Sequence, residues 1–250
     1  MYKKYLVTGG CGFIGSHIVE EILKNKKNKV IVLDSLVSGK TTNLDVKNKN
    51  LKFVKIDVSK DTIKLEKYFK EVDVVFHMAA LADIVPSINN PKLYFSTNVT
   101  GTLNVLNACI KNNIKKLVYA ASASCYGLPK SFPTNEKNNI SLMYPYALTK
   151  KLGEDLILHW SQVYKLNVTS LRLFNVFGTR SRTSGAYGAV FGVFLAQRIN
   201  NKPLTIVGNG KQTRDFIYVK DVAEAFLKAS KLKKSGEIIN IGSGKETSVN

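Results

Sequence analysis

The chain is poor in cysteine and arginine, and it has no long apolar run. Its three cysteines, Cys11, Cys109 and Cys125, are odd in number and widely spaced, with no CxxC pair. A disulfide framework and a cysteine-built zinc site are therefore not expected, no metal site is expected, and a reducing cytoplasmic setting fits. No stretch approaches the ~18–20 apolar residues that a membrane span needs. The opening MYKKYLVTGG lacks the apolar region and small-residue cleavage site of a secretory signal. Helix-turn-helix, zinc-finger and RNP-like strings are missing, as are internal repeats and low-complexity tracts. Lysine, by contrast, is abundant: 32 lysines against 5 arginines underlie a net charge of +19. They scatter along predicted helix faces and loops, as at Lys24, Lys26, Lys27, Lys29, Lys47, Lys49 and Lys52. That pattern reads as solvated surface, not as a nucleic-acid interface, though the field can draw in small polyanions such as nucleotides. With 250 residues, 44% of them hydrophobic, the chain can bury a sizeable core and is too apolar for disorder.

Short apolar runs alternate with helical patterns. Strands are expected at 5–8, 30–33, 51–56, 72–77, 116–121, 168–173, 204–207 and 237–241. Helices are expected at 13–24, 98–111, 146–164, 193–200 and 222–230, the first carrying Ile14, Ile18 and Ile22 at helical spacing. Residues 181–192 read as loop, and Asp221 as the cap of the last helix. Strands separated by helices imply βαβ units, and near-continuous apolar strands imply a parallel sheet covered on both faces.

Between the first strand and first helix stand Gly9, Gly12 and Gly15, a GxxGxxG spacing that continues through Phe13 and Ile14. Glycines here permit a tight turn, close backbone approach to a pyrophosphate, and helix–strand packing, with the helix N-terminus facing the phosphates. Asp34 ends the second strand, 19 residues beyond Gly15. A carboxylate there suits ribose hydroxyls and repels a 2′-phosphate, favouring NAD over NADP; the alternative is a cap or turn aspartate. Asp57 and Val58 either flank an adenine or form a plain turn. Tyr146 and Lys150 are four apart on a helix, so they share a face, and an ammonium beside a phenol favours the phenolate. Tyr144 is a decoy, because Leu148 stands four residues on. Ser122 lies just past a strand's C-terminal end, where open α/β sheets place ligands; its hydroxyl can share a substrate proton with Tyr146 or simply bond backbone. His77, in a strand, reads as structural.

The segments TGGCGFIGS, FHMAALADIVPSINNP, STNVTGT, SASCYG, PYALTK, LRLFNVFG and TRDFIYVKDVAEAF, together with Asp34 and Asp57-Val58, resemble the NAD-dependent epimerase/dehydratase family in order along the chain. The nearest likeness is to nucleotide-sugar 4-epimerases. The resemblance implies a doubly wound parallel Rossmann sheet with a smaller, interleaved C-terminal substrate lobe. Residues 1–174 would bind NAD and 175–250 form the lobe, with about 219–241 partly returning to the sheet. It implies Ser122, Tyr146 and Lys150 as the catalytic set, with Ala79, Ala80 and Leu81 lining NAD, Asn98 supporting Lys150 through the hydrogen-bond network, and Asn98, Tyr146 and Lys150 also among the NAD contacts, Lys150 on the nicotinamide ribose. Ser124, Asn175, Val190, Val207 and Arg214 would contact the nucleotide sugar; Val190 and Val207 read equally as packing, and Arg214 as an ion pair with Asp215. It also implies a cytoplasmic homodimer serving polysaccharide biosynthesis. Two features depart from the family. Ala123 and Ser124 replace the acid that dehydrating or decarboxylating members carry after the Ser/Thr, which weighs against a 4,6-dehydratase. The chain also ends several dozen residues early, as if truncated.

Overall fold

A computed structural model describes residues 3–60, 62–129, 131–181, 190–206 and 208–250. In chain order the strands are β1 (Lys4–Thr8), β2 (Lys29–Asp34), β3 (Leu51–Lys55), β4 (Val74–His77), β5 (Lys116–Ser122), β6 (Val168–Leu173), β7 (Asn175–Phe177), β8 (Thr213–Arg214), β9 (Phe216–Tyr218), β10 (Glu237–Ile241) and β11 (Thr247–Ser248). The helices are α1 (Phe13–Leu23), α2 (Thr62–Glu66), α3 (Ile84–Asn89), α4 (Pro91–Tyr94), α5 (Gly101–Lys111), α6 (Pro145–Tyr164), α7 (Val190–Ile199) and α8 (Val219–Ala229).

Seven strands form one sheet in the order β10-β6-β5-β4-β1-β2-β3, every neighbour parallel. Alternate residues point to opposite faces. On β1, Leu6 joins a core with Leu65, Phe69, Leu106 and Ile157, while Tyr5 and Val7 join another with Ile18, Ile22, Val222 and Phe226. Helices α2, α5 and α6 thus cover one face, and α1 and α8 the other, the doubly wound architecture expected from the sequence. Burial of both faces explains why the inner strands β1, β2, β4 and β5 are largely apolar. The strand order reverses between β1 and β4, and open α/β sheets bind ligands in the crevice beyond the strand ends at such a point. Among the described residues no helix is long and apolar enough to cross a membrane.

Several local expectations need correction. Residues 202–206 form no strand: the Thr205 amide donates to the Gln197 side chain (3.1 Å), which donates in turn to the Thr205 hydroxyl (2.8 Å). A side chain thus takes the amide that a ladder would need. Helix α7 begins at Val190, not 193, so the expected loop over 181–192 is helical at its end, while 182–189 lie outside the described residues. The helix expected from Asn98 is the last part of a longer run. It starts at α4, where Asn90 caps the Leu93 amide, and passes through a π-helical turn over Phe95–Thr100. Helix α8 starts three residues early, at Val219, so Asp221 lies in its first turn and is not its cap.

Candidate active site

The glycine turn sits at the strand-order reversal. Gly9 follows β1 with φ +67°, and its amide donates to the Leu33 carbonyl (2.7 Å), tying the turn to β2. A Cβ on Gly9 would come within 2.7 Å of the Ala79 nitrogen, and one on Gly12 within 3.2 Å of the Gly9 oxygen. On Gly15 it would collide with that same oxygen. Gly12 starts α1 with no side-chain cap, leaving the first-turn amides of Phe13, Ile14 and Gly15 facing outward for an acceptor.

Asp34 is buried at the end of β2. One carboxylate oxygen accepts from the Cys11 amide (2.9 Å) and the other from Leu36 (2.8 Å). These bonds fix the carboxylate against the glycine turn and leave lone pairs for further donors. Asp57 behaves as a turn aspartate: it accepts from the Ser59 amide (2.9 Å) and hydroxyl (2.7 Å). Burial would raise its carboxyl, but Ser59 and Lys60 together hold it below the usual range. Val58 is buried, its carbonyl accepting from the Asn104 amide (2.9 Å).

Beyond β4, the Thr8 hydroxyl accepts from the Met78 and Ala79 amides (3.2 Å each), and the chain runs on through Ala80. Asn98 clamps Leu81 in both directions, accepting from its amide (2.8 Å) and donating to its carbonyl (3.0 Å). Its side chain also donates to the Thr149 hydroxyl (2.9 Å). This bond links Asn98, in the π-helical turn, to the residue before Lys150.

Helix α6 carries Tyr146 and Lys150. Pro145 opens its first turn, and the Tyr146 amide donates to the Ser87 hydroxyl of α3 (3.1 Å). Burial pushes the Tyr146 phenol above its ordinary pKa, the Ser122 hydroxyl hydrogen-bonds it and pulls the other way, and the Asp83 carboxylate adds to the rise. Burial lowers Lys150 to about 7, against the opposing charge of Glu154. Burial is the largest cause for both groups and moves each toward its uncharged form. The Lys150 ammonium sits over the Tyr119 ring at 4.4 Å. His77 is buried between the Thr8 (2.7 Å) and Thr102 (2.9 Å) hydroxyls, and burial pushes it down to about 3, a neutral structural ring.

Ser122 ends β5 and accepts from the Ser124 amide (3.2 Å). The Ser124 hydroxyl is buried without a hydrogen-bond partner among the described residues, which marks it as a group awaiting one. The parallel pairing of β7 with β9 sets Asn175 against Phe216, while Arg214 lies on β8, paired with Thr247 of β11. The Asn175 side chain donates to the Asp215 carbonyl (2.9 Å). The exposed Arg214 donates to the Thr213 carbonyl (2.7 Å). The Asp215 carboxylate instead accepts from the Ser243 amide (2.7 Å) and hydroxyl (2.8 Å) and the Gly244 amide (2.9 Å). Val190 is half-buried at the start of α7, and Val207 lies outside the described residues.

Sequence reasoning missed a buried polar cluster behind this site. Glu154, one turn beyond Lys150 on α6, pairs with Arg172 of β6 through Nε (3.0 Å) and Nη2 (2.7 Å). The Ser170 hydroxyl adds a third bond (2.7 Å), and Arg172 Nη1 donates to the Tyr126 hydroxyl (2.8 Å). The spacing Tyr146, Lys150, Glu154 was the available signal, since it continues one helix face by a further turn.

A parallel, doubly wound sheet with a glycine turn at its reversal defines a dinucleotide-binding Rossmann protein, and the crowded glycines, uncapped helix start and anchored Asp34 fit NAD. Residues 5–242 match the NAD dependent epimerase/dehydratase family, and the chain belongs to it. A putative UDP-glucose 4-epimerase of Methanocaldococcus jannaschii is 42% identical, covering 98% of this chain and 78% of that protein. A UDP-N-acetyl-alpha-D-glucosaminuronate decarboxylase of Bacillus cytotoxicus is 35% identical, covering all of this chain and 78% of that one. The solved UDP-N-acetylglucosamine 4-epimerase of Methanobrevibacter ruminantium, in complex with UDP-N-acetylmuramic acid, superposes with TM-score 0.94 at 38% identity, covering 99% of this chain and 78% of that one.

Proposed function

We propose that the chain interconverts a UDP-linked hexose and its C4 epimer through a transient 4-keto sugar. The observation that carries this reading is the pair Tyr146 and Lys150, one helical turn apart on α6, with the Ser122 hydroxyl at the end of β5 acting on the phenol. The similarity to two 4-epimerases supports it. The residues after Ser122 support it too: Ala123 and Ser124 bring no carboxyl. That weighs against the dehydrating and decarboxylating chemistry of other family members.

In this reading Gly9, Gly12, Gly15 and the first-turn amides hold the pyrophosphate of NAD, and Asp34 holds its adenine-side ribose. NAD held there would supply a two-electron hydride acceptor and donor at the sugar C4, and the keto sugar would have to turn over in the pocket between the two transfers. Tyr146 takes the proton from the O4 hydroxyl and gives it back, a general base and then a general acid. Lys150 supplies the positive charge that lets a buried phenol ionise. Ser122 orients O4 between itself and Tyr146, and the unpartnered Ser124 hydroxyl is placed to bind the same sugar. Asn175 and Arg214 take the nucleotide's phosphates, guanidinium suiting phosphate oxygens.

The test is incubation of the purified protein with UDP-glucose, UDP-galactose and their N-acetyl forms, with products separated by chromatography. Interconversion of at least one pair, with no net change in reduced-nicotinamide absorbance, is expected. Sustained net reduction or oxidation of added cofactor, or release of carbon dioxide from a UDP-uronate, overturns it.

A further inference from the structure

The Tyr146–Lys150 face of α6 has to be held at a fixed distance from the turn that presents Ser122. These two walls belong to different elements, and the polar cluster behind them joins the two. Glu154 is 1% exposed and Arg172 3%, so the pair is shut away from water. The carboxylate accepts from Nε, Nη2 and the Ser170 hydroxyl, which fixes its plane and hence the register of α6 against β6. The remaining guanidinium nitrogen donates to the Tyr126 hydroxyl, and the guanidinium lies 5.0 Å from the Tyr126 ring centre. Tyr126 ends the 3-10 turn Ala123–Tyr126, whose N-cap is Ser122. Its hydroxyl donates onward to the Asn240 side chain of β10 (2.7 Å). One continuous set of bonds thus runs from the helix that bears the base to the turn that bears the serine.

We propose that Glu154 and Arg172 are positioning residues: their buried two-pronged ion pair, extended through the Tyr126 hydroxyl, locks the Tyr146–Lys150 helix to the Ser122 turn and keeps a negative charge one turn behind Lys150. The proposal rests on the assignment of Tyr146 and Lys150 above. A buried ion pair is by itself a weak source of stability, because well-packed apolar residues often replace one without loss. Lys150 faces His77 from β4, Tyr119 from β5, and Tyr146 and Glu154 from its own helix. Glu154 in turn faces Arg172 and Ser170 from β6, Cys125 from the 3-10 turn, Tyr119 from β5, and Lys151 at 4.0 Å. Of these groups, Glu154 is the carboxylate that favours the charged form of Lys150.

The test uses the holoenzyme and two variants, Glu154→Gln and Tyr126→Phe. The first readout needs no turnover: the Lys150 titration, followed by the 13Cε shift in lysine-labelled protein and assigned with Lys150→Arg. In Glu154→Gln its midpoint is expected to move down from about 7, and the alkaline limb of the kcat profile to move down with it. A merely structural pair would lower Tm and leave that titration where it was. Tyr126→Phe keeps the ion pair and the ring and removes only the linking hydroxyl. It should lower kcat roughly tenfold to a hundredfold while KM and bound NAD stay near wild type, the effect of a small misplacement of reacting groups. Should Glu154→Gln not fold, Tyr126→Phe decides. An unmoved Lys150 titration in folded Glu154→Gln, or an unchanged kcat in Tyr126→Phe, overturns the proposal. A wild-type protein that interconverts no sugar overturns the proposed function instead, and the Lys150 titration still judges the pair.

Discussion

Replacing Tyr146 by Phe removes one oxygen atom and leaves the ring. The structural cost is small, because the amide of residue 146 keeps its bond to Ser87 and Ser122 keeps its contact with the Ser124 amide. Loss of one buried hydroxyl with its hydrogen bond is worth about 1 kcal/mol, so Tm should fall by only a few degrees. The chemical cost is large. With the phenol gone, the proposed proton acceptor for O4 is lost, and general acid–base catalysis typically contributes ~10²–10⁴-fold, or about 3–5 kcal/mol of barrier. Bound NAD should be unchanged, since the glycine turn and Asp34 lie on other elements and do not touch the phenol. Tyr144→Phe is the control: its side chain is 36% exposed and caps nothing at the start of α6. The assay compares epimerisation rates, Tm and NAD content of the three proteins. If Tyr146→Phe retained more than about a tenth of wild-type activity, below the typical acid–base contribution, or if Tyr144→Phe fell equally far, the base would be misassigned.

Three further outcomes follow from the geometry. Gly15→Ala forces a methyl onto the Gly9 carbonyl and within 2.9 Å of the Gly10 Cα, so the protein should purify with little NAD and lose roughly 1–3 kcal/mol of stability; near-normal cofactor content by absorbance ratio would refute the cradle. Lys150→Met should abolish turnover yet raise Tm near neutral pH. Burial lowers Lys150 from 10.5 to about 7, so the unfolded chain binds the extra proton between those values and the wild type gains stability as pH rises through that window; the Tm advantage of the variant should be larger at low pH than at high pH, and the opposite trend refutes the sign. Ser87→Ala removes the acceptor for the Tyr146 amide and should cost about 1 kcal/mol, as other lost N-terminal caps do, with a few-fold loss in kcat; unchanged thermal melts and rates would show that α3 does not hold the helix start.

Apolar runs made the strands of the main sheet legible in the sequence. β6 and β10 occupy 168–173 and 237–241, the spans read from the sequence, although Ser170 and Arg172 make β6 partly polar and β10 is a half-buried edge strand. The glycine turn was legible because steric demand leaves no other residue type at Gly9 and Gly15. Short pairings were not: β7 and β9 are three residues each, and their partnership depends on chain 40 residues away. The helical run before Asn98 was hidden by its π-helical turn, which breaks the 3.6-residue spacing that would reveal it. Asn98 therefore looked like a helix start, when it lies within a run that begins at Pro91. Glu154 and Arg172 are 18 residues apart on different elements, so only the register of β6 against α6 shows that they meet.

The site has to reconcile two opposed demands. Hydride chemistry needs a dry pocket, and drying the pocket raises the phenol and lowers the lysine, moving both toward their uncharged forms. The fold offsets this with groups whose positions are already fixed. Tyr146 is the second residue of α6, where the unpaired amides of a helix start favour negative charge. The Ser122 hydroxyl beside the phenol pulls its pKa down, and the Tyr119 ring receives the Lys150 ammonium on its face. Each device favours the charged form of one partner without admitting water. A Tyr–Lys spacing alone, on a solvated helix, would carry none of them, and that is why the pair has chemical meaning only where β5, α3 and α6 converge beside the glycine turn.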